Sequence, residues 1–134
     1  MTLKPSMTFI NLPVKDLKKS MSFFNQIGFS FSMQFTDENA ACMIINDQTF
    51  TMLLTESHFK NFTNKGIVDA TTQTEVLVSL AMESRDEVDA ILEKAIEAGG
   101  KLASERRDYG FMYQVGFQDL DGHIWEVFHM EQEQ

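Results

Sequence analysis

Residues 109–130, YGFMYQVGFQDLDGHIWEVFHM, carry the reading that decides the fold. Phe111, Tyr113, Val115 and Phe117 alternate along a first arm. Trp125 and Val127 alternate with Glu126 and Phe128 along a second, which is the period of strands. Asp119, Asp121 and Gly122 supply the turn between them, because aspartate bonds its own backbone and glycine accepts positive φ. Glu126 is the odd feature, a carboxylate inside an aromatic and aliphatic run. Burying it ionised and unpartnered is costly, so the strand either exposes that face or uses Glu126.

Working outward, the segment before this hairpin predicts a strand, a helix and another strand. Residues 75–82 alternate, with Val76, Val78, Leu80 and Met82 on one face and Leu77 and Ser79 on the other. Ser84 with Glu87 forms a capping box. Val88, Ile91, Leu92, Ala95 and Ile96 make an apolar helical stripe that Gly99 and Gly100 end. The first half repeats this order. Residues 7–14 alternate as a strand, with Ile10, Leu12 and Val14 on one face and Phe9, Asn11 and Pro13 on the other. Pro13 places that strand's end there or the strand at a sheet edge. Asp16 caps a helix with Leu17, Met21, Phe24 and Ile27 on one face, and Gly28 stops it. Apolar runs at 29–35, 40–45 and 50–55 predict three strands, with Asn46 and Asp47 as a hairpin turn. The chain is thus two tandem βαβββ units, about 7–55 and 75–130, an internal duplication within an α+β fold. The polar connector, about 56–74, predicts either a short helix or a segment folded over a pocket mouth.

The bulk composition bounds the function. The 134 residues suit one domain with a real core. Twelve Phe and nine Met suggest an interior or pocket of adaptable apolar side chains. A formal charge of -9 argues against a nucleic acid partner. No apolar run approaches a membrane span and no signal pattern opens the chain, so a soluble cytoplasmic protein is expected. Cys42 stands alone, which excludes a disulfide framework and a thiolate metal site.

With LPVKDLKKSMSFFNQIGF at 12–29 and DLDGHIWEV at 119–127, the duplicated chain resembles the vicinal oxygen chelate superfamily over its whole length. That group includes glyoxalase I, bleomycin-resistance proteins, fosfomycin-resistance enzymes and extradiol dioxygenases. The resemblance implies a single domain over 1–134, with curved mixed sheets forming a cup and the helices outside. Phe9, Asn11, Leu77 and Ser79 would then face the cup. Metal-dependent members place His on each unit's first strand and Glu near the end of a last strand. The matching positions here are Phe9, Leu77, a place at or near Leu53, and Glu126. One carboxylate does not hold a transition metal, which needs three or four protein donors, so no metal or other cofactor is expected.

Other features have ordinary readings beside functional ones. His123 and His129 differ from Glu126 by odd numbers and point to the opposite face of a regular strand, and His58 lies in the connector. The DLDG run lacks the further acidic ligands of a calcium loop. Tyr109 reads as a rim aromatic, whereas Tyr113 faces either cup or helix. Arg106 and Arg107 read as solvated surface or an anion contact.

The expected function is binding or sequestering of a small molecule in an apolar pocket. Its lining would be Phe9, Asn11, Leu53, Leu77, Ser79, Phe111, Tyr113 and Phe128, with Glu126 as its carboxylate. The alternative is an enzyme of the same superfamily. It would be either metal-free, with Glu126 as general acid or base, or a metal-dependent glyoxalase-like lyase or isomerase. By analogy with the superfamily, a homodimer is expected.

Overall fold

Asp16 opens the first helix by accepting the Lys19 N–H at 3.1 Å. In this computed structural model residues 1–131 are described. The last three positions of the 1–134 domain expected from sequence lie outside the described residues. The chain divides into a unit Met1–Ile67 and a second unit beginning at Val68.

The first unit runs β1 (Thr8–Val14), α1 (Leu17–Ile27), β2 (Ser30–Ser32), β3 (Ala40–Asn46), β4 (Thr49–Thr55) and a short α2 (Glu56–Phe59). Its sheet has the order β1-β4-β3-β2. β1 pairs parallel with β4, and the other pairs are antiparallel. β1 is therefore an edge strand, where Pro13 costs no ladder bond. Gly28 ends α1 at φ 126°, a conformation that suits glycine. Leu17, Phe23, Phe24 and Ile27 of α1 are buried, as are Leu12, Val14, Ala41, Met43, Thr51 and Leu53 of the sheet. These make one core between helix and sheet.

One expectation changes here. The strand expected over 29–35 is only three residues long, and Met33–Phe35 turns as a 3₁₀ helix. The Thr36 hydroxyl explains the turn: it donates to the Ser32 carbonyl at 2.7 Å and accepts the Cys42 N–H at 3.1 Å. The start of the connector is helical. Thr55 caps α2 by accepting the His58 N–H.

The second unit runs β5 (Leu77–Ala81), α3 (Arg85–Glu97), β6 (Lys101–Asp108), β7 (Met112–Gln118) and β8 (Ile124–Met130). Its order, β5-β8-β7-β6, repeats that of the first sheet. β5 pairs parallel with β8, and the rest are antiparallel. Each unit is thus a mixed four-stranded βαβββ sheet with one long helix, and neither sheet closes on itself. Half of the expected capping box forms: Ser84 Oγ accepts the Glu87 N–H, whereas the Glu87 carboxylate accepts the N–H of Glu83, one residue before the cap. Val78, Leu80, Val115, Phe117, Trp125 and Val127 face Val88, Leu92 and Ala95 of α3 in the core.

The β7–β8 turn is built around Asp119, which is buried. Its Oδ1 accepts the backbone N–H groups of Asp121 and His123, each at 3.0 Å. Its Oδ2 accepts the Trp125 indole N–H at 3.1 Å. Burial pushes this carboxyl up from its ordinary pKa, against the opposing pull of His123 and these donors. Gly122 has φ 93°, and a Cβ there would lie 2.6 Å from the Ala70 carbonyl oxygen. No other residue fits that turn without displacing the chain above it. The DLDGHIW run is therefore a folding motif.

Candidate functional site

In each sheet one face lies under the helix and the other is turned away from it; the second is called the open face. β1 alternates as expected. Leu12 and Val14 are buried, whereas Phe9 is 50% exposed and Asn11 is exposed. Phe9 stacks on Phe50 of β4 with ring centroids 5.1 Å apart. Across the ladder Asn11 stands opposite Met52, and Leu12 opposite Leu53.

That register corrects the expectation for Leu53. It belongs to the helix-covered face, fully buried at 0% exposure, and Met52 takes the open-face position beside Asn11. Met52, Leu53 and Leu54 are consecutive apolar residues, so no alternation fixes their direction, and only pairing with β1 does.

In the second sheet Val78 and Leu80 are buried, whereas Leu77 is 53% exposed and Ser79 is exposed. Ser79 stands opposite Glu126, and Glu126 opposite Gly116. Side chains of paired residues share a face, so Ser79 and Glu126 meet on the open one. The Ser79 hydroxyl donates to Glu126 Oε1 at 2.7 Å. The Gln114 side-chain amide donates to Glu126 Oε2 at 2.9 Å. Each carboxylate oxygen is thus held by one donor, and both donors come from strands rather than loops. Phe128, half-buried and two residues from Glu126, shares this face, as does Leu77.

Two expected pocket residues lie elsewhere. The Tyr113 hydroxyl donates to Asp89 Oδ1 of α3 at 2.6 Å, so Tyr113 faces the helix. Burial, followed by that bond, pushes its phenol up from its ordinary pKa. Tyr113 accordingly ties helix to sheet, and the Arg85 guanidinium lies 5.2 Å above its ring. Phe111 precedes β7 in the β6–β7 turn. It is 61% exposed and near Tyr109, where strand parity assigns no face.

Two of the basic residues near that turn have acidic partners. Arg85 donates to both Asp108 oxygens, to the Gly110 carbonyl and to Glu131. Arg106 donates to Asp89 at 3.0 Å, which makes it a helix contact. Arg107 is exposed on edge strand β6, opposite Gln114.

Gln114 is the residue that sequence reasoning missed. The signal for it was present. The Asp119–Gly122 turn fixes the hairpin register, which puts Gly116 opposite Glu126. Gln114, two residues back, then lies on the same face.

The histidines do not join Glu126. The His129 ring Nδ1 lies 2.9 Å from the Met82 carbonyl, and its Nε2 lies 3.7 Å from Glu131. His123 is buried at the turn, and His58 packs edge-on against Phe62. Among the described residues no three His, Cys, Asp or Glu side chains are grouped to hold a metal ion.

The Glyoxalase/Bleomycin resistance protein/Dioxygenase superfamily profile matches residues 6–127. The chain belongs to that superfamily. A hypothetical protein from S. aureus is 32% identical, with 96% of this chain and 95% of that one covered and a TM-score of 0.79. A glyoxalase-related enzyme from Fulvimarina pelagi is 18% identical, covering 92% and 86%, with a TM-score of 0.78. A genomically encoded fosfomycin resistance protein from Listeria monocytogenes is 19% identical, covering 100% and 96%, with a TM-score of 0.66. The last two show shared fold alone. A comparison with curated proteins found no match.

The metal of the superfamily's metal-dependent members does not fit the residues present. Phe9 and Leu77 offer no donor atom at the first-strand positions. Glu126 remains as a single carboxylate, and both its oxygens already accept hydrogen bonds from neighbours that orient it. Ordered transition-metal sites take three or four protein donors.

Proposed function

We propose that this protein binds or sequesters a small ligand without the usual metal, on an apolar surface that uses Glu126 as its polar anchor. The observation that carries this reading is the Ser79–Glu126–Gln114 arrangement. A half-buried carboxylate, oriented through both oxygens, lies on an open sheet face between Leu77 and Phe128. Ligand sites pair apolar area with a few placed polar groups, and strand-borne groups hold their geometry without a cost on binding. Phe9, Asn11, Phe50 and Met52 supply a comparable surface on the first sheet. Superfamily membership over residues 6–127 supports reading both units as one glyoxalase-like domain that works in the cytoplasm as a homodimer. No helix among the described residues is long and apolar enough to cross a membrane.

A second reading is a superfamily enzyme, a lyase or isomerase. The Ser79 hydroxyl at 2.7 Å from Glu126 favours it, since a carboxylate in contact with a hydroxyl is placed for proton transfer.

A compound panel screened by thermal shift, with turnover followed in parallel, separates the two readings. Binders without turnover support sequestration, and turnover that Glu126→Gln abolishes supports the enzyme. Bound transition metal at one ion per chain in purified protein would contradict both metal-free versions. Sedimentation showing only a 15.3 kDa species would contradict the dimer.

A further inference from the structure

We infer that the ligand of the second sheet's open face carries a protonated amine or amidine on an apolar body. This inference rests on the binding role proposed for Glu126 and names the chemistry that the role selects.

Ser79 donates its only hydroxyl hydrogen to Glu126 Oε1, so what the hydroxyl offers a ligand is lone pairs. Gln114 turns its Nε2 toward Glu126 Oε2, so its carbonyl oxygen points away from the carboxylate and is also an acceptor. An ionised carboxylate accepts only, and each oxygen keeps lone-pair capacity beyond its one bond. The three side chains therefore offer acceptors and a negative charge, against one remaining N–H on Gln114. A ligand that complements them must bring N–H donors, and a positive charge adds strength to each bond.

The surroundings define the rest of the ligand. Gly116, opposite Glu126 on β7, has no side chain of its own, and the Ser104 hydroxyl of β6 lies where its Cβ would reach, 2.7 Å from that position. Leu77 and Phe128 flank the Ser79–Glu126 row on either side, so a cation seated there is adjacent to exposed hydrocarbon and an aromatic ring. Phe128 suits a cation at its face as well as an apolar body. The basic residues of this sheet face, Lys101 and Arg107, are exposed on edge strand β6, where solvent and salt screen them more than the half-buried Glu126. They do not reverse its preference. The net charge of -9 adds a long-range attraction for cations.

Three probes with one phenyl body test this on the full chain: 2-phenylethylamine, its N-acetyl derivative and 3-phenylpropionate. Binding is followed through the backbone amide resonances of Ser79, Gln114 and Glu126. The amine should bind at least about tenfold more tightly than the neutral amide, as expected for a hydrogen bond to a charged group, and the propionate most weakly. Glu126→Gln should erase the preference for the amine over the amide. Equal binding of all three, or preference for the acid, at these same resonances overturns the amine inference but leaves the face as a binding surface. No response at these resonances to any probe overturns both. The wild-type comparison decides the matter even if the variant does not fold.

Discussion

The Trp125 indole donates a hydrogen bond to the Asp119 carboxylate, six residues earlier, at 3.1 Å and in a buried setting. This bond joins the turn to the strand that carries Glu126. The same carboxylate holds the Asp121 and His123 amides, so one side chain sets both the turn and the register of β7 against β8. That register brings Gln114 and Glu126 to one face.

Asp119→Ala should therefore be among the most damaging changes in the second unit. It leaves the indole and two amides without their acceptor, each unmet buried group costing about 1–3 kcal/mol. A loss of about 3 kcal/mol or more in urea unfolding is expected. Asp119→Asn, which keeps one good acceptor oxygen, should lose less. Equal, small losses for both would show that the turn holds without this carboxylate.

Thr51 gives the opposite expectation. It is fully buried under α1, and its hydroxyl has no hydrogen-bond partner among the described residues. Valine has nearly the same shape and no polar atom to desolvate. Thr51→Val should raise stability by about 1 kcal/mol, read as a higher denaturation midpoint at unchanged slope. A fall of that size would mean that an ordered water satisfies the hydroxyl.

The contact between α3 and its sheet should weaken in acid. The Tyr113 hydroxyl, with Arg106, holds the Asp89 carboxyl below its ordinary pKa, and Arg85 does the same for Asp108. A carboxylate depressed in the folded state contributes its full stabilisation above the unfolded value, near pH 4. That contribution is lost as pH falls through the folded value. Asp119, raised by burial, acts with the opposite sign: its contribution is present at low pH and is lost as pH rises through its folded value. Comparing wild type with Asp89→Asn isolates the first effect, since Asp119 is common to both. Asp89 is part-exposed, so the difference should be under about 1 kcal/mol at pH 7. It should shrink below about pH 4, and a difference constant from pH 7 to 3 would rule this out.

The legible part of the fold was the part with local signals. Asp16 and Ser84 cap the helices, and in β1 and β5 the polar Asn11 and Ser79, each set between apolar neighbours, mark the open faces and carry Phe9 and Leu77, two residues before them, to the same side. Leu53 was misplaced where three apolar residues in a row erase the period. Tyr113 needed Asp89, 24 residues away, to declare its side. Phe111 lies in a turn, where period has no meaning. The shortened β2 follows from a Thr36 hydroxyl bond that no periodicity encodes. The candidate site was half readable: Glu126 is conspicuous as a charge among aromatics, whereas Gln114 emerges only when the hairpin is folded about its turn.

The most direct test of the account is calorimetric titration of the tightest compound from the panel into wild-type protein and Glu126→Gln. The account predicts at least about a tenfold loss of affinity, with the thermal midpoint of the unliganded protein little changed. The same affinity for both proteins would contradict it and remove Glu126 from any part in recognition.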